Sequence, residues 1–348
     1  MLNIALLLLF KKREFVLFNM KILLITARWI AGDQIGKPCH TQNIVKSLDS
    51  VFKDDPNVEY EVKYLSPTEI WSREELCKVM LETECDLILL SPIRHVFVDL
   101  KTAKILGKKL NIIVWDTHSL HTKLRYINLR CFLKSKADIG VMNYDIPLWD
   151  LSKHCNIVCI DNGYGEMFPN IYCTFEPMDT EVLYPIKEEE KEYDISFIGS
   201  TNEYERQLYR SKLDKLDIKI NWIGGRGPND KQLSHADWAD AHRKSKIEIN
   251  FNGNAFLGNR KSRVWEIAAC GNMMIATIPD VYKFHTGEWF KDGEHFASID
   301  TSNFAKVIKY YLENSDERIQ MAKKMHELYI EKYTPQIWWN NLIKNSVG

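Results

Sequence analysis

From Met20 the chain alternates short apolar runs with longer mixed segments, and after a break the same alternation starts again at Tyr193. Short apolar runs separated by helix-length segments require parallel strands joined by crossover helices, because a tight turn cannot connect parallel neighbours. In the first stretch the pattern predicts strands at 21–27, 58–65, 86–92, 111–116, 138–143 and 157–161. Helices are predicted between them at 39–52, 72–83, 97–108, 120–134 and 146–153. In the second stretch it predicts strands at 193–200, 218–223, 246–251, 273–277 and 296–299. The helices there are predicted at 203–214, 237–244, 261–270, 302–313, 316–331 and 335–345. Between the two, Phe175 to Pro185 carries two prolines and no periodicity, and Lys187 to Glu192 is a charged run, which together read as a linker. The expected fold is therefore α/β, with two tandem Rossmann-like domains and a cleft between them.

Size agrees with that division. A chain of 348 residues exceeds one typical core and suits two domains. A formal net charge of −1 gives no broad electrostatic footprint for nucleic acid, so a DNA acceptor is not favoured. The eight cysteines are scattered through apolar segments, and Cys155 and Cys159 lack the spacing of a zinc knuckle. Buried free thiols in a reducing, cytoplasmic setting are expected. Residues 1–19 form an extension of their own. Ile4 to Phe10 is too short to span a bilayer, and Lys11-Lys12-Arg13 follows it, so a weak peripheral contact with a membrane surface is the most this segment predicts.

The chemistry concentrates in the second half. Ser262 to Cys270 reads as a helix holding one carboxylate, Glu266. Gly271 stands where a helix end needs a left-handed residue, and Met273 to Thr277 reads as a buried strand. Arg263 lies on the same helical face as Glu266. It can meet a diphosphate as a planar fork or pair with Glu266 itself. Gly199 and Ser200 end the first strand of this half, where bare backbone admits a phosphate, and Arg206 follows on the next helix. Asn252 opens an Asn- and Gly-rich loop that reaches Arg260 and Lys261. In the first half, Asp116 and His118 close a strand in Trp115-Asp116-Thr117-His118-Ser119. An imidazole there can activate a hydroxyl or simply cap the next helix. Asp33, His40, Arg94 and His95 are weaker acceptor-side candidates. No ligand set spaced for a metal is evident, so no metal or cofactor is expected.

Four pieces of the second half, in order, resemble the C-terminal domain of GT-B-fold glycosyltransferases of group one, the branch that includes spore-maturation-type enzymes. They are the linker Pro177 to Pro185, the opening strand Ile195 to Ser200, the element Ile220 to Pro228, and the helix Arg263 to Gly271. The resemblance implies a GT-B architecture with an acceptor domain at 20–175, a linker at 176–192 and a nucleotide-sugar domain at 193–334. A last helix at 335–348 would cross back to the first domain. It also implies a glycosyltransferase that moves a sugar from a nucleotide-diphosphate sugar to a hydroxyl acceptor without a metal. Glu266 would accept hydrogen bonds from the ribose hydroxyls. One departure stands out: where many retaining members carry a second glutamate, this chain has Gly258. That weakens any transfer of stereochemistry, and it leaves a sugar-nucleotide 2-epimerase or a non-catalytic binding protein on the same fold as alternatives.

Overall fold

The structure is a computed structural model that describes residues 19–27, 40–66, 69–91, 97–114, 148–160, 171–199, 204–213, 218–224, 233–251, 262–277, 289–300 and 302–347. The first half builds a six-stranded sheet from β1 (Met20–Ala27), β2 (Val58–Leu65), β3 (Leu87–Leu90), β4 (Leu110–Val114), β5 (Asn156–Ile160) and β6 (Ile171–Thr174). Its spatial order is β2-β1-β3-β4-β5-β6, and every described pairing is parallel. The helices linking these strands include α1 (His40–Phe52), α2 (Arg73–Glu82), α3 (Leu100–Leu106) and α4 (Leu148–Ser152).

The strands are apolar on both sides because both faces are covered. Ile22 and Leu24 of β1 enter one core, and Leu23 and Ile25 enter the other. Most expected strands lie within a residue or two of the observed ones. Strand β6 is the exception: it comes just before the linker, in a stretch for which no strand was expected. Four residues carry too little periodicity to announce a strand, and pairing with β5 is what makes this one. The strand expected at 138–143 lies outside the described residues.

The second half repeats the scheme with β7 (Tyr193–Ile198), β8 (Asn221–Ile223), β9 (Ser245–Asn250), β10 (Met273–Thr277) and β11 (Phe296–Ile299). Its order is β11-β10-β9-β7-β8, again parallel throughout. Its helices are α5 (Tyr204–Leu213), α6 (His235–Arg243), α7 (Arg263–Cys270), α8 (Phe304–Glu313) and α9 (Ser315–Lys332). The chain closes with α10 (Pro335–Val347), which returns to the first sheet. There Trp339 donates its Nε1–H to Ser47 Oγ on α1 at 3.0 Å, and the Ser346 hydroxyl lies 3.0 Å from Asn111 Oδ1.

One apolar core runs from the first sheet to the second through α1, α6, α7 and α10. At its centre Trp265 is fully buried, with ring centroids 4.6 Å from Trp289, 4.9 Å from Tyr333 and 5.7 Å from Phe175, the residue that follows β6. Aromatic pairs of this kind contribute about 0.5–1.5 kcal/mol each beyond the area they bury. The cysteines at 77, 85, 155, 159 and 270 are buried and are not joined in disulfides.

Candidate active site

In an open parallel sheet, ligands bind beyond the carboxyl ends of the strands where the strand order reverses. Strand β7 has β8 on one side and β9 on the other, so the reversal in the second sheet falls between β7 and β9. Arg263 spans that point. Its Nε donates to the carbonyl of Ile198, the last residue of β7, at 2.6 Å, and one terminal nitrogen donates to Asn250 Oδ1, at the end of β9, at 3.3 Å. The guanidinium also lies 4.5 Å from the ring centroid of Phe197. It is thus a cation held at the carboxyl edge with its stem buried.

Gly199 follows Ile198 with φ at 142°, a conformation that L side chains rarely adopt, and a Cβ there would collide with the Arg263 guanidinium. The backbone conformation calls for glycine at 199, and a side chain there would also displace the Arg263 guanidinium. Beside it, Gly224 ends β8 with φ at 80°, and the Gly199 amide donates to the Ile223 carbonyl at 2.8 Å.

Glu266 lies one turn further along α7. The helix begins at the carboxyl edge, buries every one of its residues, and ends on Gly271 in the left-handed region at φ 63°, as its sequence requires. Small residues at 268 and 269 let α7 sit close to its neighbours. The Gly271 amide donates to the Ala268 carbonyl and the Asn272 amide to the Ile267 carbonyl, closing the helix end.

Behind Glu266 stands a charge cluster. His242 Nε2 is 3.1 Å from Glu266 Oε2, and His242 Nδ1 is 2.7 Å from Glu248 Oε2. Glu248 belongs to β9 and alternates out of phase with Ile247 and Ile249, which enter the opposite core. Its carboxylate therefore faces the layer of α6 and α7, where Asn272 Nδ2 donates to Glu248 Oε1 at 2.6 Å. Asn272 Oδ1 in turn accepts from Lys191 Nζ at 2.9 Å. Lys191 pairs with Glu188, and Glu188 with Arg318 of α9. Burial alone would lower the pKa of His242, but the charge of Glu248 and the hydrogen bonds to Glu248 and Glu266 outweigh it and raise the value to about 9. Burial lowers the pKa of Lys191, an effect that Glu188 opposes.

Of the residues expected at the site, Arg263, Gly199 and Glu266 come together at this edge. Between the two partners open to Arg263 in the sequence, its described hydrogen bonds go to Ile198 and Asn250 at the strand ends. Arg206 lies on α5, directly after β7, with its side chain outside the described residues. Ser200, Asn252, Arg260 and Lys261 fall outside the described residues, as do Asp116 and His118 and the weaker candidates Asp33, Arg94 and His95; of His40 only the backbone is described. The sequence reading missed His242, Glu248, Asn272 and Lys191. A signal did exist for Glu248, because a carboxylate between two isoleucines in a doubly covered sheet has no solvent face to take. Among the described residues, no group of three or more His, Cys, Asp or Glu side chains could hold a metal ion. None of the described helices is long and apolar enough to cross a membrane.

Comparison with known proteins finds a family match in the second half and a shared fold over nearly the whole chain. Residues 180–344 match a protein family described as glycosyl transferase-like. Among solved structures, HepE (Alr3699) of Anabaena, crystallised with UDP and glucose, superposes with a TM-score of 0.54 at 12% identity, over 93% of this chain and 99% of that one. A glycosyltransferase from Rickettsia africae gives 0.58 at 12% identity over 94% and 98%. Sucrose-phosphate synthase from Thermosynechococcus elongatus gives 0.58 at 10% over 93% and 96%. No curated protein matches the chain by sequence. The family match covers the second half of the chain, and the solved structures share the fold of the whole.

Proposed function

We propose that this chain, whose residues 180–344 match a glycosyl transferase-like family, moves a sugar from a nucleoside-diphosphate sugar to a hydroxyl acceptor. In this reading the donor nucleotide binds at the carboxyl edge of the second sheet. The observation that carries it is Arg263 bound to the strand ends at the strand-order reversal, with the carboxylate of Glu266 one turn further along the same helix. A carboxylate suits a cis-diol because both oxygens accept hydrogen bonds, and those of the ribose hydroxyls would fall to Glu266.

Arg263, bound to the strand ends, would meet the diphosphate with Gly199 beneath it, leaving Arg206, Ser200, Asn252, Arg260 and Lys261 to complete the donor side. Charge developing on the leaving diphosphate would be met by these cations and by backbone amides, without a metal. On the acceptor side, His118 would take the proton from the attacking hydroxyl, with Asp116 orienting it. The likeness to HepE, whose structure holds UDP, makes uridine the first base to test. We place the protein in the cytoplasm, with residues 1–19 able to touch a membrane surface.

The test is titration of the purified protein with UDP and other nucleoside diphosphates, paired with an assay for hydrolysis of the donor sugar. Glu266→Ala should weaken binding of the preferred nucleotide by about 1.5–3 kcal/mol, the range for hydrogen bonds to a charged group. Failure of the wild type to bind any nucleoside diphosphate would remove the enzyme reading. Unchanged affinity in a folded Glu266→Ala variant would remove this residue from the site.

A further inference from the structure

The proposed transfer uses Glu266 but not the charged groups behind it. Those groups alternate in sign from the carboxyl edge inward: Glu266, His242, Glu248, then Lys191 through Asn272, then Glu188 and Arg318. Exposure falls along the first steps. Glu266 retains 7%, whereas His242 and Glu248 retain none. Glu266 thus keeps slight access to solvent next to two fully buried partners, and the far end of the chain is part-exposed again at Glu188. Both ring nitrogens of His242 sit within hydrogen-bond distance of a carboxylate oxygen, and ionised carboxylates only accept. An imidazolium, with a proton on each nitrogen, suits a ring placed between two carboxylates. The ring cannot rotate away without losing one partner, and its remaining face is closed by Trp238, whose ring packs edge-on with centroids 5.0 Å apart.

We infer that His242 is a positioning residue for the donor ribose: it clamps Glu266 Oε2 from behind, Glu248 holds the imidazolium in register, and the Glu266 carboxylate is presented to the diol in one orientation. This rests on the reading that Glu266 receives the ribose. A glutamate on an α-helix has three side-chain torsions, and fixing them before the ligand arrives removes an ordering cost from binding. The arrangement has the logic of a buried base held by a second carboxylate, applied here to a binding group. The titratable groups facing the clamp are Glu248 from β9, Glu266 and Cys270 from α7, Lys191 from ahead of β7 and Arg243 from α6. The Cys270 thiol is kept neutral, by burial first and the charge of Glu248 second. Near neutral pH His242 is thus a titratable cation in direct contact with Glu266.

The experiment compares binding of UDP and 2′,3′-dideoxy-UDP to the wild type, Glu266→Ala, His242→Gln and Glu248→Gln, each checked for folding by circular dichroism. In the wild type UDP should bind more tightly than the dideoxy analogue by about tenfold or more, the value of charge-assisted hydrogen bonds to the diol. Glu266→Ala should abolish that preference. His242→Gln should lose most of it while keeping its affinity for the dideoxy analogue, since the diphosphate contacts are untouched. The wild-type preference should also fall as pH rises through about 9, where the imidazolium is lost. In Glu248→Gln, which removes the largest charge supporting the imidazolium, that fall should move to lower pH.

The outcomes separate the two claims. If the wild type shows no preference, or Glu266→Ala keeps it, the ribose reading of Glu266 fails. A preference abolished by Glu266→Ala yet intact in folded His242→Gln overturns the clamp and leaves the ribose reading standing. Equal weakening of both ligands in His242→Gln also overturns it, since that is the mark of a merely structural residue. Should His242→Gln not fold, the profile of Glu248→Gln decides, and an unshifted alkaline fall counts against the clamp.

Discussion

Both sheets place their first strand between the second and the third, yet the polar groups buried against them differ in kind. In the first half, Asn111 and Asn156 stand at the amino ends of β4 and β5. Asn156 donates to Asn111 at 3.1 Å, and Ser346 of α10 also bonds to Asn111. That cluster is neutral and fastens the last helix. In the second half the cluster is ionic, and it reaches Glu266, one turn from Arg263 at the carboxyl edge. The same topology thus uses buried polarity for attachment in one half and, on the reading above, for ligand recognition in the other. The cost of disturbing each should differ accordingly, because a buried charge without its partner is far more expensive than a lost neutral hydrogen bond.

The strongest way to break this contrast is His242→Ala. It leaves Glu248 and Glu266 buried with no cation between them, and the protein should lose about 3–5 kcal/mol of stability, read by denaturant unfolding. The same residue sets an alkaline limit in the wild type. Its folded pKa, about 9, lies above the ordinary 6.5, so its contribution is present in full below about 6.5 and disappears as pH rises through about 9. Unfolding midpoints followed across that window should drop, and a flat profile would show that the cluster does not depend on the imidazolium.

A matched pair of glycines sharpens the comparison. Gly199 and Gly107 both have positive φ, at 142° and 61°, but only Gly199 has a neighbour in the way of a Cβ. Gly107→Ala should cost about 1 kcal/mol from backbone strain alone. Gly199→Ala should cost about 1–3 kcal/mol and also weaken nucleotide binding, because Arg263 must move. Equal effects on stability and on binding would mean that Arg263 is free to relocate. The smallest effect is expected from Ser346→Ala in the first half, a loss of about 0.5–1.5 kcal/mol with nucleotide affinity unchanged.

Much of the architecture is legible in the chain because strand and helix periodicity are local signals. Tyr193 to Ile198 and Met273 to Thr277 are apolar enough to be strands in any parallel sheet, and Gly271 can hardly be anything but the end of a helix. Strand β6 escapes because its four residues gain their structure only by pairing with β5. Arg263 and Glu266 are legible as a pair on one helical face, but the direction of Arg263 is not. That depends on where Ile198 and Asn250 end their strands, 65 and 13 residues away. His242 gives no sign of itself between Ala241 and Arg243, since its partners lie on other elements.

What the sequence determines by itself is the repeated strand–helix alternation, the break between its two runs and the helix that carries Glu266. All of these follow from the spacing of apolar residues and from backbone preferences at glycine and proline. What the tertiary structure decides is which buried charges meet. Glu248, Glu266 and Asn272 converge with His242 because β9, α7 and the start of β10 pack against one end of α6. Covering both faces of the sheet leaves a strand carboxylate no solvent to turn to. It must find a cation, and which cation it finds is a property of the packing alone.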